Sequence, residues 1–494
     1  MNPTASPAPD RARSRGLLPG AAWLAALSLC VPGPGAVAAT AAATAAAAAP
    51  AAHAAAPLRV PQLPIRLRTL ANGLQLVQLL DPDAASASVQ VWYRVGSKDD
   101  PAGRSGFAHL FEHLMFKSTR HMASEQFDRL TEDVGGENNA FTADDTTSYQ
   151  CVVPPNHVER ILWAEAERMS NLNVDQPNFE SERAVVEEEY RQRVLADPYG
   201  RLFYEAIPKN GYLVHPYKRP GIGSIDELEA ASLEDVRAFH RTYYRPDNAV
   251  LIVAGPTPPA QLDAWVDRYF GALTHPDAAI PRVTVKEPPR RDSPRVGVHG
   301  PNVPLPALAL VWSGPAKSHP DAAALRVAAA LLADGDSSRL QEALVVRQRL
   351  AQNVGFSADL NADAGLVTGY AIAGSGKPVA AIEKSLLAEL QRLAQGPIAP
   401  AELDKVRTRI LTGALVDRQT ALGQAMAVGD AVILRGDAQA ANRDLAELQA
   451  VTAADVQRVL KQYVVGRPHA TLAYSQEAGD RQDKAAAAAA KGGQ

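Results

Sequence analysis

Cysteine is nearly absent from this chain, with two in 494 residues, Cys30 and Cys151. Cys30 lies in an N-terminal stretch that reads as removable, which leaves Cys151 alone and excludes an internal disulfide framework. A basic surplus is missing too: 50 Lys and Arg face 54 Asp and Glu, for a formal net charge of −4. That balance argues against a nucleic-acid partner, and no block of like charge marks an interaction tail. The apolar run from Leu17 to Val31 falls short of the roughly 20 residues a spanning helix needs, so no stable membrane anchor is expected. The rest is ordinary for a globular protein at 46% hydrophobic, and 494 residues are too many for one core, so two or more domains are expected.

The N-terminus has the order of a secretory signal. Arg11, Arg13 and Arg15 precede the apolar run, and Ala36-Val37-Ala38 offers small residues for cleavage. Leu27-Ser28-Leu29-Cys30 has the outline of a lipoprotein box, but the bulky Leu29 argues against lipidation. Ala39 to Ala56 is of low complexity. Residues 1–57 are therefore expected to be signal peptide and disordered leader, residues 477–494 a disordered tail, and the location periplasmic or secreted.

Chemistry enters at His109-Leu110-Phe111-Glu112-His113. On a helix of 3.6 residues per turn, positions 109, 112 and 113 share one face. Two imidazoles there can hold one Zn²⁺ with Glu112 beside them as a base that is not a ligand, the inverted zincin pattern H-x-x-E-H. The flanking Ala108, Leu110, Phe111, Leu114, Met115 and Phe116 are apolar, so the helix is buried nearly all round. Three polar side chains on such a helix cost several kcal/mol unless something pairs them, and a metal does so. A third ligand is still required. The helix Ser181 to Tyr190 is dense in carboxylates. Glu182 and Glu189 share a face while Glu187 and Glu188 point elsewhere; alone such a helix reads as a solvated face, and with the motif one of these carboxylates is expected to be a ligand.

His109-x-x-Glu112-His113, followed 76 positions later by Glu189 within Glu182-Arg183-x-x-Val186-x-x-Glu189, resembles the pitrilysin, insulysin and mitochondrial processing peptidase family. Asn139-Ala140-Phe141-Thr142 with Asp145, Thr147 and Tyr149, and Tyr243-Tyr244-x-Pro246-x-Asn248, are similar to further segments of that family. The resemblance, over roughly residues 60 to 475, implies one zinc per chain on His109, His113 and Glu189, Glu112 as catalytic base, and Glu182 as a supporting carboxylate. It also implies an extended peptide substrate along the strand that carries Asn139, Ala140 and Phe141. Gly135-Gly136 before that strand is read as permitting close backbone approach, or as a turn.

An internal repeat organises the rest. A shift of 220 residues lays Val91-Trp92 over Val311-Trp312, and Asp235-Val236 with Tyr243 over Asp455-Val456 with Tyr463. The expected fold is α+β, two homologous α/β-sandwich domains of mainly antiparallel sheet covered by helices. Residues 58–275 form the zinc-binding domain, 276–292 a linker rich in proline and charge, and 293–476 the metal-free copy. The same shift puts Ala329, Leu332 and Ala333 under the motif and Arg409 under Glu189, so the second copy cannot hold the metal.

In the family, an arginine and a tyrosine of a metal-free domain contact the substrate carbonyl. Aligned on Ser338-Arg339-Leu340 and Leu350-Ala351, those positions are Val345 and Gln352, and both groups are missing. Arg347 and Arg349 lie close in sequence, but neither is read as a simple substitute for the group missing at position 345. The chain thus resembles the zinc-bearing subunit of two-chain members, and a homologous partner subunit supplying the pair is expected. A scaffold of the same fold without catalysis is the alternative, and the intact motif argues against it. His215-Pro216-Tyr217 reads as a structural turn, and His121, His157, His240, His319 and His469 as surface or packing residues.

Overall fold

The computed structural model describes residues 60–477, so the anticipated signal peptide, the leader and all but the first residue of the anticipated tail lie outside the described residues. Gly73 takes a φ of 86° at the Asn72-Gly73 turn and closes a hairpin between β1 (Ile65–Thr69) and β2 (Gln75–Leu80). With β3 (Ala87–Tyr93), β4 (Glu137–Thr142), β5 (Thr147–Val153) and β6 (Ala249–Gly255), these form a six-stranded sheet in the order β1-β2-β6-β3-β5-β4. Only β2 and β6 run parallel in it. Every residue of β3 and β6 is buried, which requires cover on both faces.

A second sheet repeats this plan. It contains β7 (Arg295–Gly300), β8 (Ala307–Gly314), β9 (Ala351–Leu360), β10 (Gly365–Ala373) and β11 (Ala470–Gln476), in the order β7-β11-β8-β10-β9. Its parallel pair, β7 with β11, takes the place of β2 with β6, and β1 has no counterpart. The helices keep the same spacing: Ser232 and Asp235 form a capping box at one helix, and Thr452 and Asp455 form it again 220 residues later.

One face of the first sheet is covered by helices from its own half: α1 (Phe107–Leu114), α2 (Gln126–Glu132), α3 (Val158–Asn171), α4 (Gln176–Tyr190), α5 (Leu233–Tyr243) and α6 (Pro259–Phe270). The other face is covered from across the molecule. Helix α7 (Ala421–Arg435) lays Ala425, Val428 and Val432 on Val77, Leu79, Trp92, Val250 and Ile252. A Cβ added at Gly429 would stand 2.2 Å from the Trp92 ring, so this helix docks only because the position has no side chain. The exchange is reciprocal: Leu202, Ala206, Tyr212 and Tyr217, from the first half, pack against Val311, Leu366, Leu472 and Tyr474 of the second sheet.

Polar contacts tie the halves further. Residues 273–294 form neither helix nor strand, yet Glu287 accepts from the backbone N–H groups of Leu213, Val214 and His215, and Arg282 donates to Asn248 and to the Arg94 carbonyl. The β9–β10 turn docks on the β4–β5 turn, where Asp145 accepts from Lys98 at 2.6 Å, from the Tyr217 hydroxyl at 2.6 Å and from the Ala362 N–H at 2.9 Å. Asn361 donates to Asp144 beside them. Cys151 is buried as a free thiol. No helix among the described residues is long and apolar enough to cross a membrane.

Candidate active site

The metal motif occupies α1, whose start is pinned from the loop before it. Both oxygens of the Asp100 carboxylate accept there, from Gly106 N–H at 2.7 Å and Ala108 N–H at 2.9 Å. Burial pushes the Asp100 carboxyl up to about 7 despite those donors. Further along, the Tyr149 hydroxyl donates to the Phe111 carbonyl, and Phe111 stacks on Phe239. Beneath lies a buried ion pair, Arg168 with Glu165 at 2.6 Å, its guanidinium 4.0 Å from the Phe127 ring and 4.5 Å from that of Tyr149. The ends and the underside of α1 are thus fixed before any ligand is considered.

Opposite α1 stands α4, opened by Asp175 as N-cap to the Asn178 N–H. Its apolar residues Phe179 and Val186 are buried, and that burial turns Glu182 and Glu189 toward the motif. Glu189 Oε2 lies 3.4 Å from His109 Nε2 and 3.6 Å from His113 Nε2. The other carboxylates of the helix look away, with Glu187 and Glu188 pairing with Arg191.

These atoms fit a single divalent ion. Among the described residues, His109, His113 and Glu189 form the group of three whose ligand atoms all fall within 4.8 Å of one another. Tetrahedral bonds of about 2.05 Å place ligand atoms about 3.3 Å apart, close to the two observed spacings. Glu189 Oε2 is buried without a hydrogen-bond partner, an expense that an ion at this point removes. Burial and the neighbouring His113 hold the His109 imidazole down to about 3, in the neutral form a metal needs. For His113, burial is outweighed by the Glu182 and Glu189 carboxylates, which push it up to about 9. Glu189 is in turn held down to about 2, since the imidazoles outweigh its burial.

Glu112 is buried at 6% exposure, and its Oε2 has no hydrogen-bond partner. Burial raises its carboxyl above the usual carboxylate range. Glu112 stands beside the three-residue group but outside it, near enough to His113 and Glu189 for their charges to act on it. Glu182 turns Oε2 to His113 Nδ1 at 3.5 Å and Oε1 to Lys117 Nζ at 2.6 Å. His113 therefore has Glu189 at one ring nitrogen and Glu182 at the other, an arrangement that orients a ligating histidine.

Asn139, Ala140 and Phe141 lie on β4, the edge of the first sheet, which pairs with β5 alone. The Asn139 side chain accepts from the Ala140 N–H, and the Phe141 ring packs edge-on against Trp92 with centroids 5.4 Å apart. What β4 can offer a ligand is therefore its backbone edge more than these side chains. Gly135 sits in a turn at φ 76°, while the close approach at Gly136 is to the Val152 carbonyl of the chain itself, 2.3 Å from where a Cβ would be.

In the second half, residues 341–347 form a wide π-type turn, and Arg349 adopts a φ of 52°. By steps of about 100°, Arg349, four residues on, would fall within about 40° of position 345, so counting gives no reason to set it aside; its left-handed backbone takes it out of the turn instead. His215 is fully buried and caps a short turn by accepting from the Tyr217 N–H, and His240 is stacked on Phe111 and Tyr244.

Sequence reasoning passed over Asp100, Lys117 and Arg193. Arg193 lies 3.7 Å from the second oxygen of Glu189. The spacing of four from His113 to Lys117 and from Glu189 to Arg193 was a usable signal. Asp100 lies six residues ahead of Gly106, where no capping rule looks.

Comparison with known proteins places this geometry in a family. Residues 76–223 match the model for Insulinase (Peptidase family M16), and residues 230–410 match that for Peptidase M16 inactive domain. The zinc protease PqqE of Helicobacter pylori is 36% identical over 342 residues, covering 69% of this chain and 77% of that protein. The chain belongs to peptidase family M16. An uncharacterized zinc protease of Mycobacterium leprae is 33% identical over 312 residues, 61% of this chain and 68% of that one. The crystal structure of a protease from Helicobacter pylori superposes with a TM-score of 0.80 at 30% identity, covering 84% of this chain and all of that one. Membership in M16 accounts for the mixed α/β plan of two homologous halves and supports a peptidase role. The match to the inactive-domain model runs through the half in which Ala329, Leu332, Ala333 and Arg409 stand at the motif positions.

Proposed function

We propose that this M16 member is a zinc-dependent endopeptidase that hydrolyses extended peptides or unfolded polypeptide segments, as the catalytic subunit of a heterodimer. The observation that carries the reading is the convergence of His109, His113 and Glu189 on one point with Glu112 beside it. The relatives named zinc proteases support zinc as the ion. When bound, zinc supplies Lewis-acid polarisation of the scissile carbonyl and acidifies water. Glu112 takes the proton of the attacking water and delivers it to the departing amine. Its burial suits both halves of that task, since a raised carboxyl holds the proton long enough to pass it on.

The backbone edge of β4 receives the substrate as an added strand, which selects for extended chain and reads side chains weakly. The missing groups at Val345 and Gln352 motivate the partner: an oxyanion donor is worth about 3 kcal/mol in other enzymes, and this chain lacks two. The partner is a sister subunit carrying the arginine and tyrosine, and the site of action is the periplasm or the exterior. The deciding experiment is cleavage of a peptide library by wild type and Glu112→Gln, each with and without the homologous chain encoded beside it. Cleavage by wild type that rises with the partner and vanishes in the variant is expected. Equal cleavage by both proteins contradicts the catalytic assignment, and no rise on mixing contradicts the heterodimer.

A further inference from the structure

We infer that Lys117 is a positioning residue for the metal, acting through Glu182 on His113; this rests on the metal-site reading above. The relay is explicit in the geometry. Lys117 Nζ lies 2.6 Å from Glu182 Oε1, and Glu182 Oε2 lies 3.5 Å from His113 Nδ1, the ring nitrogen turned away from Glu189. The Ser181 hydroxyl also donates to Glu182 Oε1 at 3.2 Å. One carboxylate oxygen is thereby held from the α4 side and from the turn after α1, which leaves the other to face the imidazole.

The usual reading of a lysine–glutamate contact is a surface ion pair of little worth. Burial decides otherwise here, since the Glu182 side chain is 8% exposed and that of Lys117 26%. A buried carboxylate without a cation rotates toward any donor or takes up a proton, and in either case its hold on Nδ1 is lost. The charge balance points the same way. Glu112, Glu182 and Glu189 place three carboxylates around one divalent ion, an excess of negative charge that Lys117 offsets on the His113 side and Arg193 on the Glu189 side. Partners behind ligating histidines set the orientation and basicity of the ring, and losing one weakens metal binding about 10–100-fold in other proteins.

The test is the zinc dissociation constant of the full chain, measured by competition with a chromophoric chelator. Wild type, Lys117→Met, Lys117→Arg, Glu182→Gln and the Lys117→Met/Glu182→Gln double variant are compared. Methionine keeps the apolar stem and removes the charge. Lys117→Met is expected to bind zinc about 10–100-fold more weakly, Lys117→Arg to stay near wild type, and the double variant to lose little beyond Glu182→Gln alone, because both changes break one relay. In the metal-free proteins Lys117→Met alone is expected to lower the unfolding temperature, because Glu182 is left buried without its cation, and the double variant to recover it while still binding zinc weakly, which separates this role from general support of the fold. Wild-type affinity in Lys117→Met, or losses that add in full in the double variant, overturns the inference while leaving the metal site intact. A wild type that binds no zinc overturns the site reading and the inference together.

Discussion

Replacing Glu112 by glutamine probes the chemistry with the least disturbance of the fold. The side chain is buried, its Oε2 has no hydrogen-bond partner, and it lies outside the three-residue ligand group. Glutamine has the same shape and cannot shuttle a proton. General acid–base catalysis contributes about 10²–10⁴-fold, so kcat/KM should fall by that factor, equivalent to about 2.7–5.4 kcal/mol in the barrier. Stability should move the other way or not at all. The wild-type carboxylate is desolvated and its pKa raised, whereas a buried neutral amide avoids the cost of an uncompensated charge. Peptide cleavage, zinc content and thermal unfolding of the metal-free protein are the assays. More than a tenth of wild-type activity in Glu112→Gln would refute the role of base. Loss of zinc from the variant would refute its position outside the ligand set.

Stripping the metal with a chelator should lower the unfolding temperature, and zinc at 100 times its dissociation constant should return about 2.7 kcal/mol; unfolding that ignores zinc contradicts a preformed site. Arg168→Met should destabilise the protein by about 3–5 kcal/mol, because Glu165 is left buried and unpaired. Adding Glu165→Leu should recover most of that in denaturant titration, and a single-variant loss under about 1 kcal/mol speaks against the buried pair. Gly429→Val should cost about 1–3 kcal/mol, since the new side chain meets the Trp92 ring across the two halves. An unchanged unfolding midpoint in that variant contradicts the packing described.

The grouping of His109, Glu112, His113, Glu182 and Glu189 was readable because it is written in helical spacing, whereas the choice of Glu189 over Glu182 as a ligand came from the family resemblance. His109, Glu112 and His113 lie within one turn of α1, and Glu182 and Glu189 lie two turns apart on α4, so both faces follow from 3.6-residue periodicity. The duplication was readable for a similar reason, since strand pairs and capping boxes recur at one offset and the two sheets share an order. Spacing does not reveal which surfaces meet at long range. Helix α7 covering the first sheet, and the Tyr199–Tyr217 region covering the second, come from apolar faces that look alike in sequence whichever sheet they serve. Asp100 capping α1 depends on a loop path, and the Glu165–Arg168 pair under the site looks like an ordinary charged pair of helix α3 until its burial is seen. Helical counting gave no ground to set Arg349 aside, since four residues return to the same face, and its left-handed φ takes it out of the turn.

Metal analysis of the purified chain tests the central claim most directly. After dialysis, the wild type should retain about one zinc per chain and Glu189→Ala only traces, with the fold of both intact by circular dichroism. Zinc retained equally by Glu189→Ala, or absent from a folded wild type, would contradict the convergence of His109, His113 and Glu189 on one ion.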